Sequence, residues 1–188
     1  MIQEKAIIVS APSGAGKSTL VHHLMGVFPQ LEFSVSACTR PKRAEETDGV
    51  DYYFISVAQF QEHIESCDFI EWEEVYQGCF YGTLKSEIRR IWSLDKIPVF
   101  DVDVKGGLNL KKYFRKSGLA IFVQPPSMGT LKERLENRGT ESPEDLAKRI
   151  GRAEKELSFA PKFDTVIVNN ELEKAKQEIC NLVQSFLQ

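Results

Sequence analysis

The stretch Ala11-Pro12-Ser13-Gly14-Ala15-Gly16-Lys17-Ser18-Thr19 joins glycines, a lysine and hydroxyls in the pattern of a phosphate-holding loop. Closely spaced backbone N–H groups point at an anion there, and the N-terminus of a following helix adds partial positive charge. Lys17 has the reach to span β and γ phosphates, and Ser18 offers Mg²⁺ a hydroxyl oxygen. Ala11 stands where the pattern GxxxxGK(S/T) has its first glycine, so its backbone must take a negative φ or shift. The alternative is an ordinary strand-to-helix turn.

Other residues are open to two readings. Arg40 and Arg43 lie on a Pro-interrupted loop beside Glu45, Glu46 and Asp48. They form a surface charge cluster or, with Tyr52 and Tyr81, a grip for a second phosphate. Glu71 sits inside Phe69-Ile70-Glu71-Trp72; taken alone, a strand carboxylate there is expected to face solvent, and the alternative is a pocket. Asp101 ends an apolar run, either as a carboxylate facing Mg²⁺ at the sheet's C-terminal edge or as N-cap of the next helix. Asp103-Val104-Lys105-Gly106 imitates the DxxG of GTPases, but no NKxD follows, which argues against a GTPase. Arg134 and Arg138, then Arg149 and Arg152, share helix faces as a solvated basic surface or as a mobile lid.

The elements that must carry these residues follow from periodicity. Strands are predicted at 6–10, 33–36, 51–55, 69–72, 97–103, 119–123 and 164–168, with a hairpin over 77–83 returning beside the first strand. Helices are predicted at 19–28, 57–66, 84–92, 104–114, 129–137 and 172–187. Apolar strands alternating with helices specify an α/β chain with a parallel sheet covered on both faces. No repeat, low-complexity tract or linker interrupts it, so one core with insertions is expected.

Composition narrows the function. With 24 Lys+Arg against 27 Asp+Glu, the chain lacks the cationic excess of polyanion binders, so no nucleic acid partner is expected. Hydrophobic residues make up 42% without any membrane-length run, so no membrane partner is expected either. Met1 leads into the first strand with no room for a signal peptide, which predicts a cytoplasmic chain. Cys38, Cys67, Cys79 and Cys180 form no CxxC and lie near no histidine at ligand spacing, so neither zinc nor a disulfide is expected.

Taken in order, the phosphate loop, Phe33-Ser34-Val35-Ser36 with Thr39-Arg40-Pro41-Lys42-Arg43, Gly49-Val50-Asp51-Tyr52, Phe69-Ile70-Glu71-Trp72, Tyr81-Gly82-Thr83, Asp101-Val102-Asp103, Pro125-Pro126-Ser127, Arg138-Gly139-Thr140-Glu141 and Val166-Ile167-Val168-Asn169 resemble the guanylate kinases, of the nucleoside monophosphate kinase fold. The resemblance implies a P-loop NTPase-type parallel sheet (core 1–32, 85–126 and 161–188), a small mixed GMP-binding insertion (33–84) and a helical lid (127–160). It implies Mg²⁺-dependent transfer from ATP to GMP, and to dGMP, by a monomer or homodimer serving purine nucleotide metabolism.

By the same resemblance Arg40, Arg43, Tyr52 and Tyr81 hold the GMP phosphate, while Ser36, Glu71, Thr83 and Asp103 read guanine, which reverses the isolated reading of Glu71. Residues 11–19 and Asn169 bind ATP, with Mg²⁺ at Ser18 and, through water, at Asp101. Lys17, Arg40, Arg43 and the lid arginines Arg134, Arg138 and Arg149 meet the transferring charge. The competing reading is an inactive module on the same scaffold that uses the GMP site to bind proteins. Such modules typically lose parts of the loop or lid, which this chain retains.

Overall fold

The run Ala6-Ile7-Ile8-Val9-Ser10 has no polar side chain before its last residue, and as β1 (Ala6–Ser10) all five positions are buried. That suits the centre of a parallel sheet, where both faces of a strand are covered. The computed structural model describes residues 5–137 and 143–188. Beside β1 run β7 (Ile97–Val102) and β8 (Gly118–Gln124), with β2 (Leu31–Phe33) outside β7 and β9 (Thr165–Val168) outside β8; all pairings are parallel.

Because side chains alternate along a strand, β1 feeds two cores. Ile7 and Val9 pack with Leu20 and Leu24 of α1 (Lys17–Val27) and Ile179 and Val183 of α7 (Leu172–Leu187). Ile8 packs oppositely with Phe100, Ile88 of α3 (Lys85–Ser93) and Leu110 and Phe114 of α4 (Val104–Phe114).

The second sheet has the order β4-β3-β6-β5, from β3 (Ser36–Cys38), β4 (Tyr52–Phe54), β5 (Phe69–Tyr76) and β6 (Cys79–Leu84). It is mixed: β3 and β4 run parallel, whereas β6 is antiparallel to both β3 and β5. Helix α2 (Val57–Glu65) starts on a capping box between Ser56 and Gln59 and buries Phe60 on this sheet, stacked at 4.3 Å against Phe69. A buried phenylalanine of this kind is worth about 3–5 kcal/mol against alanine.

Two expectations are corrected here. Residues 33–36 are not one strand: β2 ends at Phe33, β3 starts at Ser36, and Ser34-Val35 carry the chain from one sheet to the other. The hairpin formed by β5 and β6 returns beside β3, not beside β1. Both edges of β1 are taken by β7 and β8, which leaves no ladder for a hairpin strand to join. Two helices complete the chain, α5 (Met128–Glu136) and α6 (Pro143–Leu157).

Candidate active site

Glycine shapes the loop between β1 and α1. Gly16 caps α1 at φ 94°, a left-handed conformation, and a Cβ there would strike the Asn169 side-chain amide. Asn169 is buried and donates Nδ2–H to the Ala15 carbonyl at 2.8 Å, tying the loop to the end of β9. Ala11 is not among the residues with positive φ, so a glycine is not required there.

A cavity of ≈ 340 Å³ separates this loop from the small sheet. Lys17 and Ser18 of the loop line it together with Asp101 of β7, as do Ser36, Tyr52, Glu71 and Tyr81 of the small sheet. Lys17 Nζ pairs with Asp101 Oδ1, and Ser18 Oγ donates to Asp101 Oδ2 at 2.7 Å. Burial draws the Lys17 ammonium down to about 8, against the pull of the Asp103 and Glu156 carboxylates. Asp101 does not cap α4; that role belongs to Asp103, whose side chain accepts the Gly106 N–H at 2.8 Å. The adjacent hydroxyl and carboxylate of Ser18 and Asp101 are hard oxygen donors, the type Mg²⁺ takes, so this pair fits that ion.

Glu71 overturns the solvent-facing expectation drawn from the strand alone, for only 8% of it is exposed. Its Oε1 accepts the hydroxyl of fully buried Thr83 at 2.7 Å. Burial raises the carboxyl to about 7; the Thr83 hydrogen bond opposes this and the charges of Asp103 and Glu73 add to it. A Cβ on Gly106 would lie 2.9 Å from Glu71 Oε2, so glycine at 106 keeps that oxygen approachable.

The arginines are distributed unequally. Arg40 forms a forked pair with Glu46 (2.6 and 2.5 Å), donates Nε–H to the Tyr81 hydroxyl at 3.1 Å and lies 4.9 Å from the Tyr52 ring centre. Arg40 holds the Glu46 carboxyl down to about 2 despite the opposing effect of desolvation. Arg43 is exposed and does not line the cavity. Arg149 of α6 does, donating to Ser13 Oγ at 3.2 Å, while Arg134 of α5 donates to the Asn169 carbonyl at 3.0 Å. Arg138 lies outside the described residues.

Two α6 residues of the cavity, Arg152 and Glu156, are absent from the site roles that the resemblance implies, although the sequence reading pairs Arg152 with Arg149 as a basic surface or lid. Arg152 Nη2 donates to Asp103 Oδ2 at 2.9 Å and its Nε to Glu156 Oε1 at 2.7 Å, and both Arg152 and Glu156 line the cavity. Their i,i+4 spacing on one helix face was the available signal.

Comparison with known proteins concerns the whole chain. Positions 3–186 match the family model described as guanylate kinase. The guanylate kinase of Bacteroides fragilis is 48% identical over 185 residues, covering 98% of this chain and 91% of its own length. That of Salinibacter ruber is 44% identical over 187 residues, covering 100% and 99%. The crystal structure of guanylate kinase from Anaplasma phagocytophilum superposes with a TM-score of 0.75 at 26% identity, covering 98% of this chain and 87% of that one. With a family match across nearly every residue and a shared two-sheet architecture, the chain belongs to the guanylate kinase family.

Proposed function

We propose that the chain moves the terminal phosphoryl group of ATP onto GMP, giving ADP and GDP, with the two nucleotides end to end between its sheets. One observation carries the reading: the phosphate loop with Lys17 and the buried carboxylate of Glu71, which accepts the Thr83 hydroxyl, line one and the same cavity. In this reading residues 33–84 bind GMP, residues 127–160 close over ATP, and the remainder is the core.

A GMP phosphate oxygen attacks the γ phosphorus as the bond from that phosphorus to the β-phosphate oxygen breaks, and ADP leaves with the electron pair. The attacking phosphate is already ionised at neutral pH, so the protein's task is positioning and charge neutralisation rather than proton removal. Lys17 meets β and γ oxygens. Arg40 and Arg43 orient the acceptor phosphate with Tyr52 and Tyr81, and Arg134, Arg138 and Arg149 approach the transferring group. Ser18 and Asp101 would hold Mg²⁺, which supplies further neutralisation of phosphate charge.

Guanine selection rests on Glu71, supported by Ser36, Thr83 and Asp103. An ionised carboxylate accepts from guanine N1–H and the 2-amino group together. Adenine presents an acceptor at N1 and no 2-amino donor, so the buried carboxylate keeps Thr83 but loses both base donors, a mismatch of the kind that discriminates by about 10⁴ to 10⁵. Asn169 stands at the ATP end, where its side chain braces the loop.

The purified chain with ATP and Mg²⁺ is expected to form GDP from GMP and to leave AMP and CMP almost untouched at equal concentration. Absence of GDP would favour the inactive protein-binding module, and equal turnover of the three nucleotides would remove Glu71 from base selection.

A further inference from the structure

The chain passes between its sheets at two places. Outward, Ser34-Val35 join β2 to β3; on the return, β6 ends at Leu84 and α3 begins at Lys85. Glu87, in the first turn of α3, engages both. Its side chain is 1% exposed and its two oxygens receive four donors. Oε1 accepts the Val35 N–H at 3.0 Å and Arg90 Nη2 at 2.9 Å; Oε2 accepts the Tyr53 hydroxyl and Arg90 Nε, each at 2.9 Å. Arg90 continues across the outward crossing to Glu32 at 3.4 Å and the Phe33 carbonyl at 3.5 Å. Burial pushes the Glu87 carboxyl up, but the hydrogen bonds from Arg90, Val35 and Tyr53 outweigh it and leave the group below its ordinary value.

Both points held by Glu87 adjoin residues of the cavity. Val35 precedes Ser36 and Tyr53 follows Tyr52, and in the parallel ladder Ser36 pairs with Tyr52 and Ala37 with Tyr53. Because neighbouring side chains leave a strand on opposite faces, Tyr52 lines the cavity while Tyr53 reaches back to α3. Anchoring the Tyr53 hydroxyl therefore fixes the rotation of β4 about its own axis, and with it the aim of Tyr52. A buried carboxylate with every acceptor position used tolerates one arrangement of its donors far better than any other.

We propose that Glu87 is a positioning residue for GMP: it pins β3 and β4 against α3 so that Ser36 and Tyr52 face the phosphate loop, raising affinity for the acceptor without touching it. The proposal rests on the reading that Ser36 and Tyr52 hold GMP.

Steady-state kinetics on three single variants and one double variant test it. E87Q keeps the shape but places an amide N–H where a donor now sits, and is expected to raise KM for GMP about tenfold, with kcat within about threefold and KM for ATP within about twofold. Y53F removes one hydroxyl and leaves the Glu87–Arg90 pair intact; its expected rise in KM for GMP is about threefold. The double variant should be no worse than E87Q, because both changes cut one link.

Unchanged KM for GMP in E87Q and Y53F would overturn the proposal, as would parallel rises for ATP and GMP or additive effects in the double variant. Should E87Q not fold, Y53F decides by the same split. Y52F separates the two layers: if it binds GMP normally, the underlying site reading fails. If Y52F is impaired while E87Q and Y53F are not, only the role of Glu87 fails.

Discussion

Glu71 releases its proton near pH 7 in the folded chain, against an ordinary value of 4.5, because burial penalises the carboxylate. The sign of the consequence follows from linkage. Below about pH 4.5 the group is neutral in folded and unfolded chains alike and costs nothing. Between about pH 4.5 and pH 7 the folded chain keeps a proton that the unfolded chain has released, so stability falls across that window, by about 3 kcal/mol once both forms are ionised above it. E71Q has no proton to lose. Without nucleotide, its stability relative to the parent should therefore rise by about 2 kcal/mol between pH 5 and pH 8, measured by urea unfolding. Parallel pH profiles for the two proteins would contradict the burial argument. In the function proposed above the instability has a counterpart, since an ionised Glu71 would find its donors in guanine.

At the scale of elements, the N-terminus of α4 carries two duties through Asp103. Oδ1 caps the helix through Gly106 N–H, while Oδ2 receives Arg152 from α6. These duties separate by substitution, because asparagine caps a helix about as well as aspartate and alanine does not. D103A should lose about 1 kcal/mol more than D103N in urea unfolding. The Arg152 pair contributes little to that difference, both partners being partly exposed. Equal stability of the two variants would mean that the cap contributes nothing to α4. The Arg152–Asp103 pair also gives α6 a direct contact with the N-terminus of α4, as Arg149–Ser13 does with the phosphate loop. One helix thus touches both.

For the whole molecule, the arrangement of two sheets on either side of one cavity predicts that a nucleotide bridging them stabilises the fold as a unit. At a hundred times its Kd, GMP should add about 2.7 kcal/mol by mass action, a rise in Tm of about 5–10 °C for a chain of this size. CMP at the same concentration should leave Tm within about 1 °C. Equal shifts from both nucleotides would show that the fold does not discriminate between bases. Among the described residues no helix is long and apolar enough to cross a membrane.

Sequence by itself determined what depends on neighbours along the chain. The alternation of Ile7, Ile8 and Val9 set both faces of the central strand, and the loop from Gly14 to Ser18 was legible because its N–H groups, lysine and hydroxyl are consecutive. Tertiary structure alone decided what depends on surroundings distant in sequence. Nothing local tells a strand carboxylate which face will be covered, and Glu71 became a buried acceptor only because Thr83 and Gly106 meet it there. The break between β2 and β3 was equally hidden, since Phe33-Ser34-Val35-Ser36 satisfies strand periodicity while Glu87, Arg90 and Tyr53 hold the crossing from elsewhere. Local hydrogen bonds and periodicity are written in adjacent residues. The burial and ionisation of a carboxylate are properties of the space that the folded chain encloses.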